Sequence, residues 1–325
     1  MNKNNSLKYY LDSNHIPYEI NVDLKKKTWI HRGGIAALFI TPMNSNELEK
    51  LVSYLYSKNV KFLLVGHTSN IYIVNECNIS VVVSTIKCRN FTIEGNQIYC
   101  EAGVGVIKLA KQMITHGYKG FEYLTGLPGT IGAALVNNSS CKTNSISNLL
   151  ISAKVVLKNG VTETFYYNDF KFEFRNSIFK KKNIEGTIIS VILRIYPGDC
   201  EELQKIAEEN NKERNRILEG HSKNLGCTVN SCFINGKMPL KYRLPLYMYS
   251  TILKFTFCSD EKRRYLNKRM LCFISGYKSI VPYVSSKTPI IFRWIDDGAD
   301  SAFPLYLDFM KKVYKTDKVE IEVIK

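Results

Sequence analysis

KFLLVGHTSNIYI, residues 61–73, is the stretch on which the reading of the chain turns. Its apolar run to Val65 predicts a buried strand. Five residues that can bury almost nothing follow: Gly66, His67, Thr68, Ser69 and Asn70. Alternating apolar residues then resume. The use of such an interruption lies in its main chain. Consecutive N–H groups in a tight turn form a concave anion site, small side chains let a phosphate approach, and hydroxyls and an amide add donors. Ordinary strand ends carry the same residue types, so the stretch alone leaves both a phosphate loop and a plain turn open.

Upstream, SLKYYLDSN reads as a short helix. In TWIHRGGIAALFITP (28–42), Gly33-Gly34 make a turn and ALFIT a strand ended by Pro42. NSNELEKLVSYLYSKN (44–59) is a helix that Asn44 or Ser45 can cap, with Leu48, Leu51, Val52 and Leu55 at helical spacing. With KFLLVG it makes a β-α-β unit. Downstream, SVVVST, FTIEG and QIYCEAG are strands, and IKLAKQMITHG (107–117) is a helix closed by Gly117. LKNGVTET predicts a hairpin with a two-residue Asn-Gly turn. After a break near Pro197-Gly198, residues 200–220 form a long charged helix that bridges to a last domain. That domain ends in a helix and a strand. No GxGxxG sits between a strand and a helix, so the chain reads as α+β and not as Rossmann units.

A second small-residue stretch raises the weight of the phosphate reading. EYLTGLPGTIGAALVNNSS (122–140) holds Gly126, Pro128, Gly129, Thr130 and Gly132, then Asn137 and Asn138. Such a density of glycines around a proline suits close main-chain approach to a flat or phosphorylated ligand. EAGVG (101–105) adds another small-residue turn.

Composition sets the outer limits. The 325 residues allow two or three domains, and 45% hydrophobic with 12% aromatic content is globular. No apolar run reaches the roughly 18 residues of a membrane span, and the N-terminus lacks a signal-peptide core. A soluble cytoplasmic protein without a membrane partner is expected. The nine cysteines are odd in number, scattered and without a CxxC pair, which predicts reduced thiols and no metal site. The net charge of +16 favours anionic partners. It is spread along the chain with no nucleic-acid-binding signature, so a nucleic-acid partner is not expected and a phosphate-rich ligand fits equally well.

The ordered set T28…G33-G34-I-A36, G66-H-T-S-N70, A102-G103, G126-L-P-G-T-I-G132-A, F174-R-N-S177-I-F179 and the terminal E320-I-E-V-I resembles the UDP-N-acetylenolpyruvoylglucosamine reductases, the MurB family of peptidoglycan precursor synthesis. The resemblance runs from about residue 20 to the end and weakens in the last third. It implies an α+β fold: a two-subdomain FAD-binding domain of the PCMH/vanillyl-alcohol-oxidase type and a smaller C-terminal α+β substrate domain. The corresponding division is an N-terminal extension over 1–20, FAD subdomains over 21–90 and 91–199, and bridging helix plus substrate domain over 200–325.

The resemblance also implies roles. Residues 66–70 would hold the FAD pyrophosphate, although His67 and Thr68 stand where two more glycines are usual. Gly126, Pro128, Gly129, Thr130, Gly132 and Asn137 would line the rest of the cofactor path. The family reaction takes a hydride from NADPH to FAD and on to an enolpyruvyl ether of a UDP-sugar. Arg175 would hold the substrate carboxylate with Ser177 beside it, and Glu320 would polarise the enolate or relay a proton. A surface arginine and an exposed alternating strand, with Glu320 and Glu322 on one face, are the structural alternatives. The family's serine acid falls on Cys227 in NLGCTVNSCF (224–233), with Ser231 as the alternative; a free thiol, titrating near ~8.5, donates a proton readily. Residues 236–296 look unlike the usual substrate domain, except that IIFRWID (290–296) can stand for the family's ANFIVN. Wider relatives attach flavin through histidines, which puts His67 forward for covalent attachment. A monomer is expected. The alternatives are a paralogue acting on another nucleotide-sugar, in surface-polysaccharide or secondary metabolism, and a flavin-free basic binding protein.

Overall fold

Asn44 starts the first long helix by accepting the Glu47 N–H on its side chain at 2.9 Å, while Glu47 reaches back to the Met43 N–H. Of the two candidate caps, Asn44 fills the role, because Ser45 is already helical. The computed structural model describes residues 3–141, 144–219, 222–229, 238–256 and 258–325, which divide into two compact units.

Unit 1 comprises residues up to Lys27, Gly34–Thr68 and Glu76–Asn211. It opens with α1 (Lys3–Ser13), β1 (Tyr18–Asp23), β2 (Ile35–Ile40), α2 (Ser45–Ser57) and β3 (Leu63–Val65). After β4 (Ile71–Ile73), which belongs to unit 2, comes β5 (Asn78–Ser84). The first sheet has the order β1-β2-β5-β3, antiparallel between β1 and β2 and parallel elsewhere. The expected β-α-β unit therefore exists, but β5 sits between its two strands. Leu48, Leu51, Val52 and Leu55 of α2 are fully buried. Leu7 and Leu11 of α1 join the same cluster, so the N-terminal helix is part of this core.

β6 (Phe91–Glu94), β7 (Gln97–Glu101), α3 (Val106–Thr115), β8 (Tyr118–Lys119), α4 (Ile131–Val136), β9 (Ser140–Cys141) and β10 (Asn144–Ser145) follow. β11 (Leu150–Leu157), β12 (Thr162–Tyr166), β13 (Gly186–Arg194), β14 (Tyr196–Pro197) and α5 (Cys200–Ile217) complete the middle of the chain. The second sheet is antiparallel throughout, in the order β12-β11-β13-β7-β6. The hairpin predicted at LKNGVTET is β11–β12, with a different turn. Leu157 N donates to Val161 O and Gly160 N to Leu157 O, so three residues, Lys158 to Gly160, form the loop. Gly160 takes the left-handed conformation at φ 83° that a three-residue loop requires.

Unit 2 gathers Thr28–Gly33, Ser69–Asn75 and Lys212–Lys325. Its helices are the end of α5, α6 (Leu240–Lys254), α7 (Asp260–Ile274) and α8 (Gly298–Tyr314). Among the described residues its one regular sheet is β4 with β15 (Glu322–Ile324), parallel. The IIFRWID stretch is extended core: Ile290, Ile291, Phe292 and Trp294 are buried, and Phe292 and Arg293 make isolated bridges. These units do not follow boundaries at 20, 90 and 199. Two short N-terminal segments belong to the C-terminal unit, and α5 starts in one unit and ends in the other. No helix among the described residues is long and apolar enough to cross a membrane.

The Ala102-Gly103 turn packs against the end of β5. A Cβ on Gly103 would lie 1.7 Å from Thr85 O and 2.6 Å from Cys88 O, both main-chain atoms. Gly103→Ala is expected to cost ~3 kcal/mol or more. Urea unfolding followed by circular dichroism checks this, and an unchanged midpoint would mean the 85–88 turn can move aside.

Candidate functional site

In unit 1 three of the small-residue stretches meet. Val65 ends β3 and Gly66 turns against Thr130: a Cβ on Gly66 would meet Thr130 Oγ1 at 2.6 Å and Cγ2 at 2.9 Å. The His67 ring hydrogen-bonds to the Gly129 main chain, and its Cε1 edge lies 3.1 Å from where a Cβ of Gly105 would stand. Desolvation lowers the pKa of His67 below the ordinary imidazole value, against the Gly129 hydrogen bond, which raises it. Thr68 is buried with φ 54°. That left-handed step curls successive amides, the geometry of an anion nest.

The 126–132 loop is tied to the 102–105 turn. Ile131 N donates to Val104 O at 2.8 Å, Gly132 N to Ala102 O at 2.9 Å, and Val106 N to Gly129 O at 3.0 Å. Gly129 has φ 121°, open in practice only to glycine. Pro128 is exposed, Gly126 half-buried and Thr130 buried; the Thr130 side chain makes no capping bond to α4. Of the two carboxylates in these stretches, buried Glu101 accepts the Ser45 and Asn90 amides at 2.8 Å each, and Glu122 accepts the Gly120 amide at 2.6 Å. The donor set of amides and hydroxyls fits a pyrophosphate.

Ser69 and Asn70 fall in unit 2, so the five residues read as one loop are divided between the units after Thr68. Asn70 O accepts the Glu322 N–H at 2.9 Å, and its side-chain amide donates to Glu320 O at 3.4 Å.

Arg175 sits at the tip of a tight turn in which Glu173 and Asn176 exchange main-chain hydrogen bonds at 3.1 Å. Its φ of 56° is left-handed, a conformation that costs a non-glycine residue ~1–2 kcal/mol. The turn is held from the end of α4. Fully buried Ser177 donates from Oγ to Val136 O at 2.6 Å, and Asn138 Nδ2 donates to Glu173 O at 2.9 Å. Lys180 Nζ donates to Arg175 O at 3.2 Å. Asn137 spends its side chain on Ala133 O at 2.9 Å, closing α4. The residue that shapes the turn is thus the neighbouring Asn138, buried and itself at φ 43°. The Asn-Asn pair at 137–138 carried that signal in the sequence, since asparagine is favoured where a helix ends in a left-handed residue.

In unit 2 the main chain of Glu320 pairs with Thr228, the residue after Cys227. Glu320 N donates to Thr228 O at 2.9 Å, and Thr228 N donates to Ile290 O at 2.8 Å. Thr228 Oγ1 accepts the Phe292 N–H at 3.2 Å. The fully buried Tyr306 donates to Pro289 O at 2.9 Å, and burial raises its pKa, with Cys227 and Thr228 among the groups acting on it. Glu320 is half-buried and precedes β15, whereas Glu322 is exposed within it. Ser231 lies outside the described residues.

Sequence reading missed one network. Arg32 pairs through Nε with Asp300 Oδ2 at 2.9 Å and through Nη2 with Asp297 at 3.3 Å. Asp300 also takes the Tyr72 hydroxyl at 2.9 Å and the Asn75 amide at 2.8 Å, and Asn75 Oδ1 accepts the Gly33 N–H at 3.1 Å. These bonds hold both N-terminal segments of unit 2 to the first turn of α8. A separation of more than 200 residues hides them from any local pattern.

Residues 36–166 match the family described as FAD binding domain. The UDP-N-acetylenolpyruvoylglucosamine reductase of Streptococcus uberis is 30% identical over 190 residues, 58% of this chain and 62% of that protein. The enzyme of that name from Caldanaerobacter subterraneus is 29% identical over 195 residues, 60% of this chain and 64% of that protein. The chain spans less than two thirds of the length of these curated relatives. The crystal structure of UDP-N-acetylenolpyruvylglucosamine reductase (MurB) from Thermus caldophilus superposes with TM-score 0.66 at 18% identity, over 95% of this chain and 99% of that one. The shared fold therefore reaches beyond the part matched in sequence. Together these findings give the chain an α+β fold shared with that reductase, with an FAD binding domain over residues 36–166.

The left-handed turn at Arg175 makes a local prediction. Arg175→Gly is expected to be more stable than Arg175→Ala by ~1 kcal/mol, because only glycine takes φ 56° without strain. Paired urea titrations check the sign; equal midpoints would mean the turn relaxes when the side chain is cut.

Proposed function

We propose that the protein is an FAD-dependent reductase that converts UDP-N-acetylglucosamine-enolpyruvate to UDP-N-acetylmuramate with NADPH. The observation that supports this reading is the meeting in unit 1 of the 66–68, 102–105 and 126–132 stretches, whose main-chain amides and hydroxyls suit a cofactor pyrophosphate. The relatives' printed names support the same substrate class.

In this reading the main chain of 66–68 and 126–132 holds the cofactor's pyrophosphate, with Thr68 and Thr130 as hydroxyl donors. Bound FAD supplies hydride transfer from NADPH to the β-carbon of the enolpyruvyl ether. Arg175 holds the substrate carboxylate bidentately and carries the negative charge that builds there as the enolate forms. Ser177 acts on substrate through Arg175, since its own hydroxyl is bonded to Val136 O. Cys227 Sγ delivers the proton to the α-carbon. Glu320 lies next to the enolate and polarises it or relays a proton from solvent.

A second reading, a MurB-like oxidoreductase for another nucleotide-sugar, is favoured by one observation. The curated relatives match 58–60% of this chain in sequence, so about two fifths of it shares the fold without a sequence match that would carry the substrate preference.

The absorbance spectrum separates the readings. Flavin bands are expected to bleach with anaerobic NADPH and return when UDP-N-acetylglucosamine-enolpyruvate is added. Bands that stay bleached would move the assignment to another acceptor, and protein that takes up no FAD on reconstitution would overturn both. Arg175→Ala is expected to lower kcat/KM at least ~100-fold, the scale of one lost electrostatic donor. Cys227→Ala is expected to lose ~100-fold or more in turnover while Cys227→Ser keeps most of it; equal losses would remove residue 227 from proton transfer.

A further inference from the structure

Helix α6 has two apolar faces. Tyr242 and Leu253 are buried in the core of unit 2, and Leu246 packs against it. On the other side Leu240, Leu244, Tyr247, Met248 and Ile252 recur at helical spacing and are 62%, 53%, 69%, 59% and 62% exposed. Phe255, just beyond the helix, is 85% exposed. A surface helix ordinarily turns its polar side outward, and a contiguous apolar stripe of this length marks an interaction surface.

The charge around the stripe selects the partner. At 100° per residue, Arg243 and Lys254 flank one edge of the stripe and Lys241 lies within it. Residues 240–274 hold eight Lys and Arg against two acids, Asp260 and Glu261. α7 packs on α6, with Asn267 Nδ2 donating to Ser250 Oγ at 3.3 Å. Between α6 and α7 an open cleft of about 520 Å³ is lined by Ser250, Lys254, Asp260, Arg263, Arg264 and Asn267. Asp260 is paired with Arg263, so Lys254 and Arg264 leave the cleft net positive.

We infer that the α6–α7 hairpin docks on an anionic phospholipid surface, with the stripe in the headgroup–acyl boundary and the Lys254–Arg264 cleft on headgroup phosphates. An apolar stripe flanked by cations has the composition of a helix that lies in a membrane interface. A second copy of this chain would bring like charge against like charge, and a nucleic acid would leave the Leu, Met and Ile side chains without use. A spanning helix is not needed for such binding, so the missing span that led to the expectation of no membrane partner does not bear on it.

The test is flotation of the full chain with vesicles of phosphatidylcholine alone and with roughly one-third phosphatidylglycerol. Retention on the anionic vesicles is expected to exceed that on neutral ones at least ~tenfold and to fall as salt rises. The triple change Tyr247→Ser, Met248→Ser, Phe255→Ser is expected to cut retention ~tenfold or more. Lys254→Glu with Arg264→Glu is expected to erase the anionic preference. All five positions are at the surface, so unchanged circular dichroism and FAD uptake would show both variants folded. Equal retention on neutral vesicles, or variants that float like the parent, would overturn the inference. So would absence of flotation together with a concentration-dependent dimer that the triple change dissolves, which would assign the stripe to a second copy.

Discussion

The approach of Thr130 to Gly66 is the constraint on which the cofactor half of the molecule depends. With no Cβ at residue 66, the end of β3 can lie directly against the Thr130 side chain. That contact places the His67 ring on Gly129 and the 102–105 turn beneath the 126–132 loop. The hydrogen bonds from Ile131 and Gly132 then fix where α4 begins. The end of α4 in turn anchors the Arg175 turn through Ser177 and Asn138. A chain of short contacts thus connects the 66–68 loop to the Arg175 turn within a single unit.

Unit 2 is organised by main-chain pairing where unit 1 uses glycine contacts. Thr228 is fully buried and both its main-chain groups and its hydroxyl are bonded, to Ile290, Glu320 and Phe292. The buried Arg32 with Asp300 performs a different task, holding segments from the first quarter of the chain against α8. Without Asp300 the buried guanidinium would keep only the exposed Asp297 as a carboxylate partner, and without Arg32 the Asp300 carboxylate would keep only the Tyr72 and Asn75 donors.

Much of the cofactor half was legible in advance because its determinants are local. Glycine and proline at 126–132 and the cap at Asn44 each act within a few residues. The hairpin at 158–160 was legible as a hairpin, but not in its loop length. Asn159-Gly160 suits both a two-residue and a three-residue loop, and the choice lies in the pairing of Leu157 with Val161. Asn137 and Asn138 are adjacent and chemically identical, and only the position at which α4 stops decides which one is buried.

By itself the sequence determined that the chain is α+β, where its main helices and strands lie, and that its glycine-rich stretches suit a flat or phosphorylated ligand. Hydrophobic period, turn residues and small-residue clusters record these directly. Only the tertiary structure decided that Ser69 and Asn70 belong with the C-terminal unit, that the main chain of Glu320 pairs with Thr228, and that α6 keeps an apolar face outward. Each of these depends on which partner meets a residue across a long stretch of chain. Helical spacing shows that a face is apolar, and packing alone decides whether it is covered.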